Sequence, residues 1–354
     1  MKIGIFSPYL DSLGGGERYM LTMAEYLSKN DEVDIFWNDK KIKEKAFQRL
    51  SIDLKRVNFV EDIFYSKKNL LKKLILSRRY NLIIFLSNGS IPSTLAKRNI
   101  LHFQHPFINI NGKSVLNKLK LTRFSAIICN SKFTKKYIDK EYGVSSMVIY
   151  PPVDVEKFSL GKKRNLIISV GRFSKEPIYN KKQIEMVKFF KKLVAKLPHW
   201  RLILIGGLLE QDKNYFRQVK KISGGLPIDV LSNISFDEVK NYYERVKIYW
   251  HATGFGEDEG DKPAAMEHFG ISTVEAMAAG CVPIVYDGGG QKEIITNGQD
   301  GFLWKTEKQL LDYTLRLAND EALREKIAQS AIKKSKLFSK EKFCQKIEGL
   351  VNSL

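Results

Sequence analysis

Cysteine is scarce: 354 residues hold three, Cys129, Cys281 and Cys344. Their wide separation fits neither a zinc knuckle nor a disulfide framework. Cys129 ends an apolar run and Cys281 follows Ala-Ala-Gly, so both read as small buried hydrophobes in a reducing compartment. No apolar run approaches the roughly 18 residues of a membrane-spanning helix. The apolar start, Met1-Lys2-Ile3-Gly4-Ile5-Phe6, is too short for a signal peptide and reads as a first strand, so a cytoplasmic protein is expected. Fixed-period repeats and low-complexity segments are missing, which excludes solenoids and disordered tracts. No Asp-x-Asp pair lies near a strand end, and no metal requirement is expected. Acid is the scarcer charge, 39 Asp and Glu against 59 Lys and Arg, a formal +20. The imbalance is uneven, with 26 basic and 13 acidic side chains in residues 1–150. Such a field favours an anionic partner: a phosphate-bearing substrate, an anionic lipid or nucleic acid.

What is present is a repeated alternation. Lys2–Ser7, Val33–Trp37, Leu82–Leu86, Asn99–Phe103 and Ala126–Asn130 are short, apolar and bounded by turn residues. That pattern predicts strands buried on both faces of a parallel sheet, joined through βαβ units. Tyr150-Pro151-Pro152-Val153-Asp154 interrupts it, because two prolines fit neither a central strand nor a helix interior. The pattern then restarts at Leu166–Val170 and continues through Arg201–Ile205, Ile228–Leu231, Ile248–His251 and Val282–Tyr286. Gln183–Leu197 reads as a helix, and residues 307–352 are helical in pattern. Two α/β domains are expected, 1–160 and 161–335, followed by a segment 336–354. Ligands of such folds sit at the carboxyl ends of strands, beside helix N-termini.

The strongest local signal is Glu267-His268-Phe269-Gly270-Ile271-Ser272-Thr273-Val274-Glu275, which leads into Ala276-Met277-Ala278-Ala279-Gly280. Gly270 lets the chain turn before a helix of good formers that Gly280 closes. Free N–H groups near Ile271, Ser272 and Thr273, with the positive end of the helix dipole, suit a diphosphate. Glu275, expected in the first turn, is near enough to accept from a ribose hydroxyl, and Glu267 can face a bound sugar. Ser272-x-x-Glu275 is equally a capping box that needs no ligand. The other sites are Gly171-Arg172 after a strand, with Lys181-Lys182 downstream; the loop Gly14-Gly15-Gly16, which lacks dinucleotide spacing; and His105, just past a strand that contains His102. The acidic run Gly256–Asp261 has no EF-hand spacing and reads as a solvated loop. Phe64–Arg79 is an amphipathic basic segment. Either it lies on an anionic bilayer or it is an ordinary helix with a basic outer face.

These residues, in this order, resemble the family 4 retaining glycosyltransferases of GT-B fold. The carrying features are the Glu-x7-Glu spacing of Glu267 and Glu275, the glycine loop, the strand-end histidine, Asn130-Ser131, Pro-Pro-Val-Asp, and Gly-Arg with a later Lys. Asp287-Gly288-Gly289-Gly290 and Asn297-Gly298-x-x-Gly301-Phe302 complete the series. The Glu-His-Phe-Gly-Ile spelling is similar to that of mannosyltransferases that extend lipid-linked oligosaccharides. The resemblance implies two Rossmann-like, doubly wound domains facing across a cleft, with the last helix crossing back to the first. It implies a nucleotide-sugar donor, GDP-mannose or a UDP-sugar, as co-substrate and no further cofactor. Arg172 and Lys181 would neutralise the diphosphate; Phe269, Gly270, Ile271 and Ser272 would hold it; Glu275 would take the ribose and Glu267 the sugar. His105, with Gly15 and Gly16, would complete the site. The spacing departs from the family: Arg172 and Lys181 stand further apart than usual, leaving the choice between Lys181 and Lys182 open. The acceptor expected is a saccharide or a lipid-linked saccharide, and the basic first half of the chain motivates an expected peripheral contact with an anionic membrane at its inner face. A non-catalytic nucleotide-sugar binder stays open. A basic nucleic-acid-binding protein is disfavoured, because no stacking signature or recognition helix is found.

Overall fold

The computed structural model describes residues 1–11, 14–64 and 70–354. They form two compact units, Met1–Pro152 with Lys340–Leu354, and Val153–Ser339.

Seven parallel strands make the first unit's sheet: β1 Lys2–Phe6, β2 Glu32–Phe36, β3 Val57–Val60, β4 Leu82–Leu86, β5 Arg98–Phe103, β6 Ala126–Cys129 and β7 Met147–Val148. Their order is β3-β2-β1-β4-β5-β6-β7. The order reverses at β1, where Ile3 pairs with Val33 on one side and Leu82 on the other. Strand residues alternate between two cores, as the pleat requires. Ile3, Ile5, Val33, Ile35, Leu82 and Ile84 face α1 (Gly15–Leu27), α2 (Ile42–Leu50) and the C-terminal helix. Phe6, Phe36, Ile83, Phe85, Leu101 and Phe103 face the side carrying α3 (Leu70–Ser77), α4 (Val115–Leu121) and α5 (Lys132–Tyr142). Both faces are covered, which is why the strands read as unbroken apolar runs rather than alternating ones.

The second unit holds β8 Arg164–Val170, β9 Arg201–Gly206, β10 Ile228–Ser232, β11 Val246–His251, β12 Val282–Tyr286 and β13 Phe302–Trp304. They are parallel, in the order β10-β9-β8-β11-β12-β13. Its helices are α6 Gln183–Lys191, α7 Lys213–Ser223, α8 Phe236–Arg245, α9 Ile271–Ala278, α10 Gln291–Ile294, α11 Glu307–Asn319 and α12 Glu321–Ser335. The last helix, α13 (Lys340–Ser353), belongs to the first unit. Its Phe343, Ile347, Leu350 and Val351 join that core, and Phe343 meets Tyr19 edge-on at 4.7 Å.

The division falls at the prolines, so the expected boundary after residue 160 lies inside the second unit. The cause is packing. The Val153 amide donates to the Phe338 carbonyl at 3.1 Å, Phe158 meets Phe236 and Tyr243 edge-on, and Ser159 bonds Glu244. For the same reason residues 336–339 stay with the second unit. Strands β7 and β13 escape the sequence pattern because they have only two and three residues, and β3 because its Val57-Asn58-Phe59-Val60 alternates rather than forming an apolar run. The expected helix 183–197 stops at Lys191 and runs on as turns.

Candidate functional site

In both sheets the order reverses beside the first strand of the unit, and at such a switch point the loops leaving neighbouring strands part to leave a crevice. In the second unit those strands are β8 and β11. After β8, the Gly171 amide donates to the Ile205 carbonyl at 2.9 Å, tying the loop to β9. Gln183, the first residue of α6, donates from Nε2 to the carbonyls of Gly171 (3.3 Å) and Arg172 (3.0 Å). Its Oε1 accepts from the Tyr215 hydroxyl at 3.0 Å. This clamp holds the start of α6 against the end of β8 and so places the lysines just before it.

Lys181 Nζ donates to Glu267 Oε2 at 2.7 Å, and His251 Nε2 lies 3.0 Å from the same oxygen. His251 is the last residue of β11, adjacent to β8. Burial opposes the charge on Glu267, but Lys181 and His251 together outweigh it and hold the carboxyl well below the usual carboxylate range. Burial keeps the His251 imidazole below its ordinary range despite Glu267. The neutral ring therefore donates through Nε2 to a carboxylate that can only accept. Its Nδ1 is buried without a hydrogen-bond partner.

Gly270 is the cap of α9 and adopts φ 121°, a conformation side chains avoid. The Gly290 amide donates to the Glu267 carbonyl at 2.7 Å, and Gln291 Nε2 donates to Thr273 Oγ1 at 2.9 Å. The glycine loop after β12 thus braces the turn into α9. The alternative capping box does not form. Ser272 lies inside the helix and its Oγ meets the Tyr249 hydroxyl at 2.8 Å. Glu275 stands at the fifth helical position, beyond the expected first turn, and is buried. Burial raises the Tyr249 pKa, hydrogen bonds with Ser272 and Thr273 offset part of that rise, and the charges of Glu267 and Glu275 add to it. Phe269 is buried against Phe338, centroids 5.4 Å apart, so its side chain anchors the loop.

Arg172 lies over the Tyr179 ring at 4.7 Å. Lys182 turns to Glu257 at 2.9 Å. The acidic run expected to be solvated is instead pinned: Glu257 also binds Lys262, and Glu259 binds Lys292 and the Gly289 amide. Its carboxylates neutralise lysines far away in sequence, a pairing that local spacing cannot reveal.

The first unit has its own polar cluster at the carboxyl edge of its sheet. Gly15 and Gly16 open α1, and the Gly14 amide donates to Glu17 Oε2 at 2.6 Å. Gln104 Nε2 donates to the Gly16 carbonyl at 3.2 Å, and a Cβ on Gly16 would collide with Gln104 Oε1. Asn130 Nδ2 donates to the Gln104 carbonyl at 3.2 Å. His102 is buried in β5, stacked on Tyr19 at 4.1 Å, and burial pushes its pKa down to about 3. His105, half-buried just past β5, is also held below its ordinary range by burial.

The structure therefore gathers Lys181, Glu267, the start of α9 and Glu275 at one switch point, with Arg172 on the loop that leads to Lys181. His105, Gly15 and Gly16 lie in the other unit. His251, Tyr249, Gln183 and Gln104 carry geometry that the sequence reading missed. Tyr249 and His251 alternate with Ile248 and Trp250, so they share a sheet face, and a histidine ending an apolar strand was the available signal. Among the described residues no group of three or more His, Cys, Asp or Glu could hold a metal ion.

Residues 152–334 match the family model described as Glycosyl transferases group 1, and residues 13–157 match Glycosyltransferase Family 4. The GDP-Man:Man(3)GlcNAc(2)-PP-Dol alpha-1,2-mannosyltransferase of Homo sapiens is 26% identical over 90% of this chain and 79% of its own length. The protein of the same name from Mus musculus is 32% identical, over 61% of this chain and 46% of its length. The chain thus matches less than half of the mouse relative. A crystal structure of Anabaena HepE in complex with UDP and glucose superposes with TM-score 0.76 at 18% identity, covering 100% of both chains. The shared fold is GT-B, and with more than half of its length matched by the first of these models, the chain belongs to the group 1 glycosyl transferases.

Proposed function

We propose that the chain is a retaining hexosyltransferase that moves a sugar, mannose by preference, from a nucleotide sugar to a saccharide or lipid-linked saccharide. The observation that carries the reading is Glu267, an ionised carboxylate fixed by Lys181 and His251 beside the N-terminus of α9. The diphosphate lies at the amides of Ile271 and Ser272, where the helix dipole is positive, within reach of Arg172 and Lys181. As the bond from the sugar C1 to the diphosphate breaks, these fixed cations stabilise the charge left on phosphate. The acceptor oxygen bonds C1 on the face the diphosphate leaves, and its proton passes to the departing phosphate oxygen. Glu267 orients the sugar hydroxyls and Glu275 holds the ribose.

GDP-mannose as donor is supported by the Glu-His-Phe-Gly-Ile spelling and by the names of the human and mouse relatives. The UDP and glucose in HepE support the second choice, a UDP-sugar. The test is a thermal-shift panel of GDP- and UDP-sugars, since a ligand at a hundred times its Kd stabilises by about 2.7 kcal/mol. Nucleoside diphosphate release with saccharide acceptors and the anomeric configuration of the product follow. Glu275→Ala should weaken donor binding about tenfold or more, the loss of a hydrogen bond to a charged group. An inverted product removes the retaining reading, and unchanged donor affinity in Glu275→Ala removes its role.

A further inference from the structure

Between Asp62 and Asp139 the chain has no Asp or Glu, yet it carries fifteen Lys or Arg. This stretch supplies one face of the first unit. Leu76 of α3 and Leu121 of α4 pack on the core formed by Phe6, Phe85 and Phe103. The loop leading into β5 ties the two helices together. The Leu95 amide donates to Ser77 Oγ at 2.9 Å, Lys120 Nζ to the Ile91 carbonyl at 3.2 Å, and Arg123 Nη2 to the Ala96 carbonyl at 3.1 Å. α3, the loop and α4 are therefore one continuous surface.

Its apolar side chains point outward. α4 buries none of its residues, and Val115 is 85% exposed. Leu116 and Leu119 beside it, with Leu70, Leu71 and Ile75 on α3, are exposed as well. With Leu95 they are seven of the sixteen exposed large apolar side chains among the described residues, so the exposure is concentrated rather than scattered. Concentrated apolar surface marks an interaction site. Arg78 and Arg79 just past α3, Lys97 and Arg98 where the loop enters β5, and Lys118 on α4 are exposed too.

We propose that this surface docks on an anionic lipid bilayer, the aliphatic side chains entering the headgroup boundary while the basic ones meet the phosphates. The observations select that occupant. A bilayer interface offers apolar depth and negative charge together. Single-stranded nucleic acid would call for aromatic stacking platforms, and every exposed apolar residue here is aliphatic. A second copy would bring the same predominantly basic face against itself, Glu61 being already paired with Lys72, which like charge opposes. Among the described residues no helix is long and apolar enough to cross a membrane.

The proposal goes beyond the transfer reading and is measured without donor. The full chain is sedimented with vesicles of phosphatidylcholine alone, or with about a third phosphatidylglycerol, over a range of salt. The wild type should bind the mixed vesicles about tenfold or more tightly than the neutral ones, and salt should weaken that binding. Leu116→Glu with Leu119→Glu alters exposed positions only, so thermal unfolding should be unchanged while vesicle affinity falls about tenfold or more. Equal binding to both vesicle types would overturn the proposal. So would full affinity in the double variant, displacement from vesicles by RNA that the variant still binds, or a dimer that the substitutions dissolve without any vesicle binding. Failure of the transfer reading shows separately, as the absence of any nucleotide-sugar thermal shift.

Discussion

Replacing Lys181 by Met and Glu267 by Gln, singly and together, measures whether the second-unit cluster acts as a unit. One oxygen of Glu267 accepts from Lys181 at 2.7 Å and faces His251 Nε2 at 3.0 Å. A hydrogen bond to a charged group contributes about 1.5–3 kcal/mol. The two side chains are 24% and 16% exposed, so water screens part of the attraction and the lower end applies. Lys181→Met leaves an ionised carboxylate largely buried with only His251, at a cost of about 3 kcal/mol. Glu267→Gln keeps the shape and leaves a partly solvated ammonium, at about 2 kcal/mol. The double variant should cost less than the sum by about 1.5 kcal/mol, the coupling of the pair. Urea unfolding followed by tryptophan fluorescence reads it, since Trp200, Trp250 and Trp304 are buried in this unit. The pH dependence adds a second check. Glu267 is held below the ordinary carboxylate range, so its contribution is complete above that range and is lost only as pH falls through the depressed value. In Lys181→Met that value rises toward the unfolded one, so the variant loses less stability than the wild type on acidification, and the difference between the two narrows as pH falls. Additivity of the two single losses within about 0.5 kcal/mol would refute the reasoning.

Gly270→Ala places a Cβ at φ 121° and 2.7 Å from Gln291 Nε2; unfolding should show a loss of about 1–3 kcal/mol. Lys181→Met should weaken nucleoside diphosphate binding about tenfold, one charged hydrogen bond. Lys182→Met, whose lysine is bound to Glu257, should change it less than about threefold, and isothermal titration compares them. Burial pushes His102 down to about 3, so the unfolded chain takes up a proton near pH 6.5 that the folded chain refuses. First-unit stability should therefore fall by about 1.4 kcal/mol per pH unit from that value toward 3. His102→Phe, which can keep the stack on Tyr19, should flatten the slope of urea midpoint against pH.

The architecture was legible because strands buried on both faces must be apolar throughout, and Leu82–Leu86 or Val282–Tyr286 can hardly be anything else. The turn at Gly270 was legible for a local reason too, since only the residues beside it decide its backbone. The partners of Glu267 were not. Lys181 is 86 positions away, and the two meet because β8 lies beside β11, an adjacency set by strand order and not by spacing. Local spacing can also mislead. Ser272-x-x-Glu275 satisfies a capping box on paper, yet Gly270 starts the helix, and Ser272 is spent on Tyr249. Three of the four residues missed share one position, Tyr249 inside β11 being the exception. His251 ends β11, Gln104 follows β5, and Gln183 sits where the loop after β8 enters α6. In a parallel sheet all such positions lie on the carboxyl edge, where the chain leaves the hydrogen-bonded ladder and a polar side chain no longer has to be buried among aliphatic ones. A polar residue that could be dropped from an apolar run without harming the strand is there because the edge uses it. By that reasoning His251, like His105, was marked in the sequence as soon as Ile248–His251 was recognised as a strand.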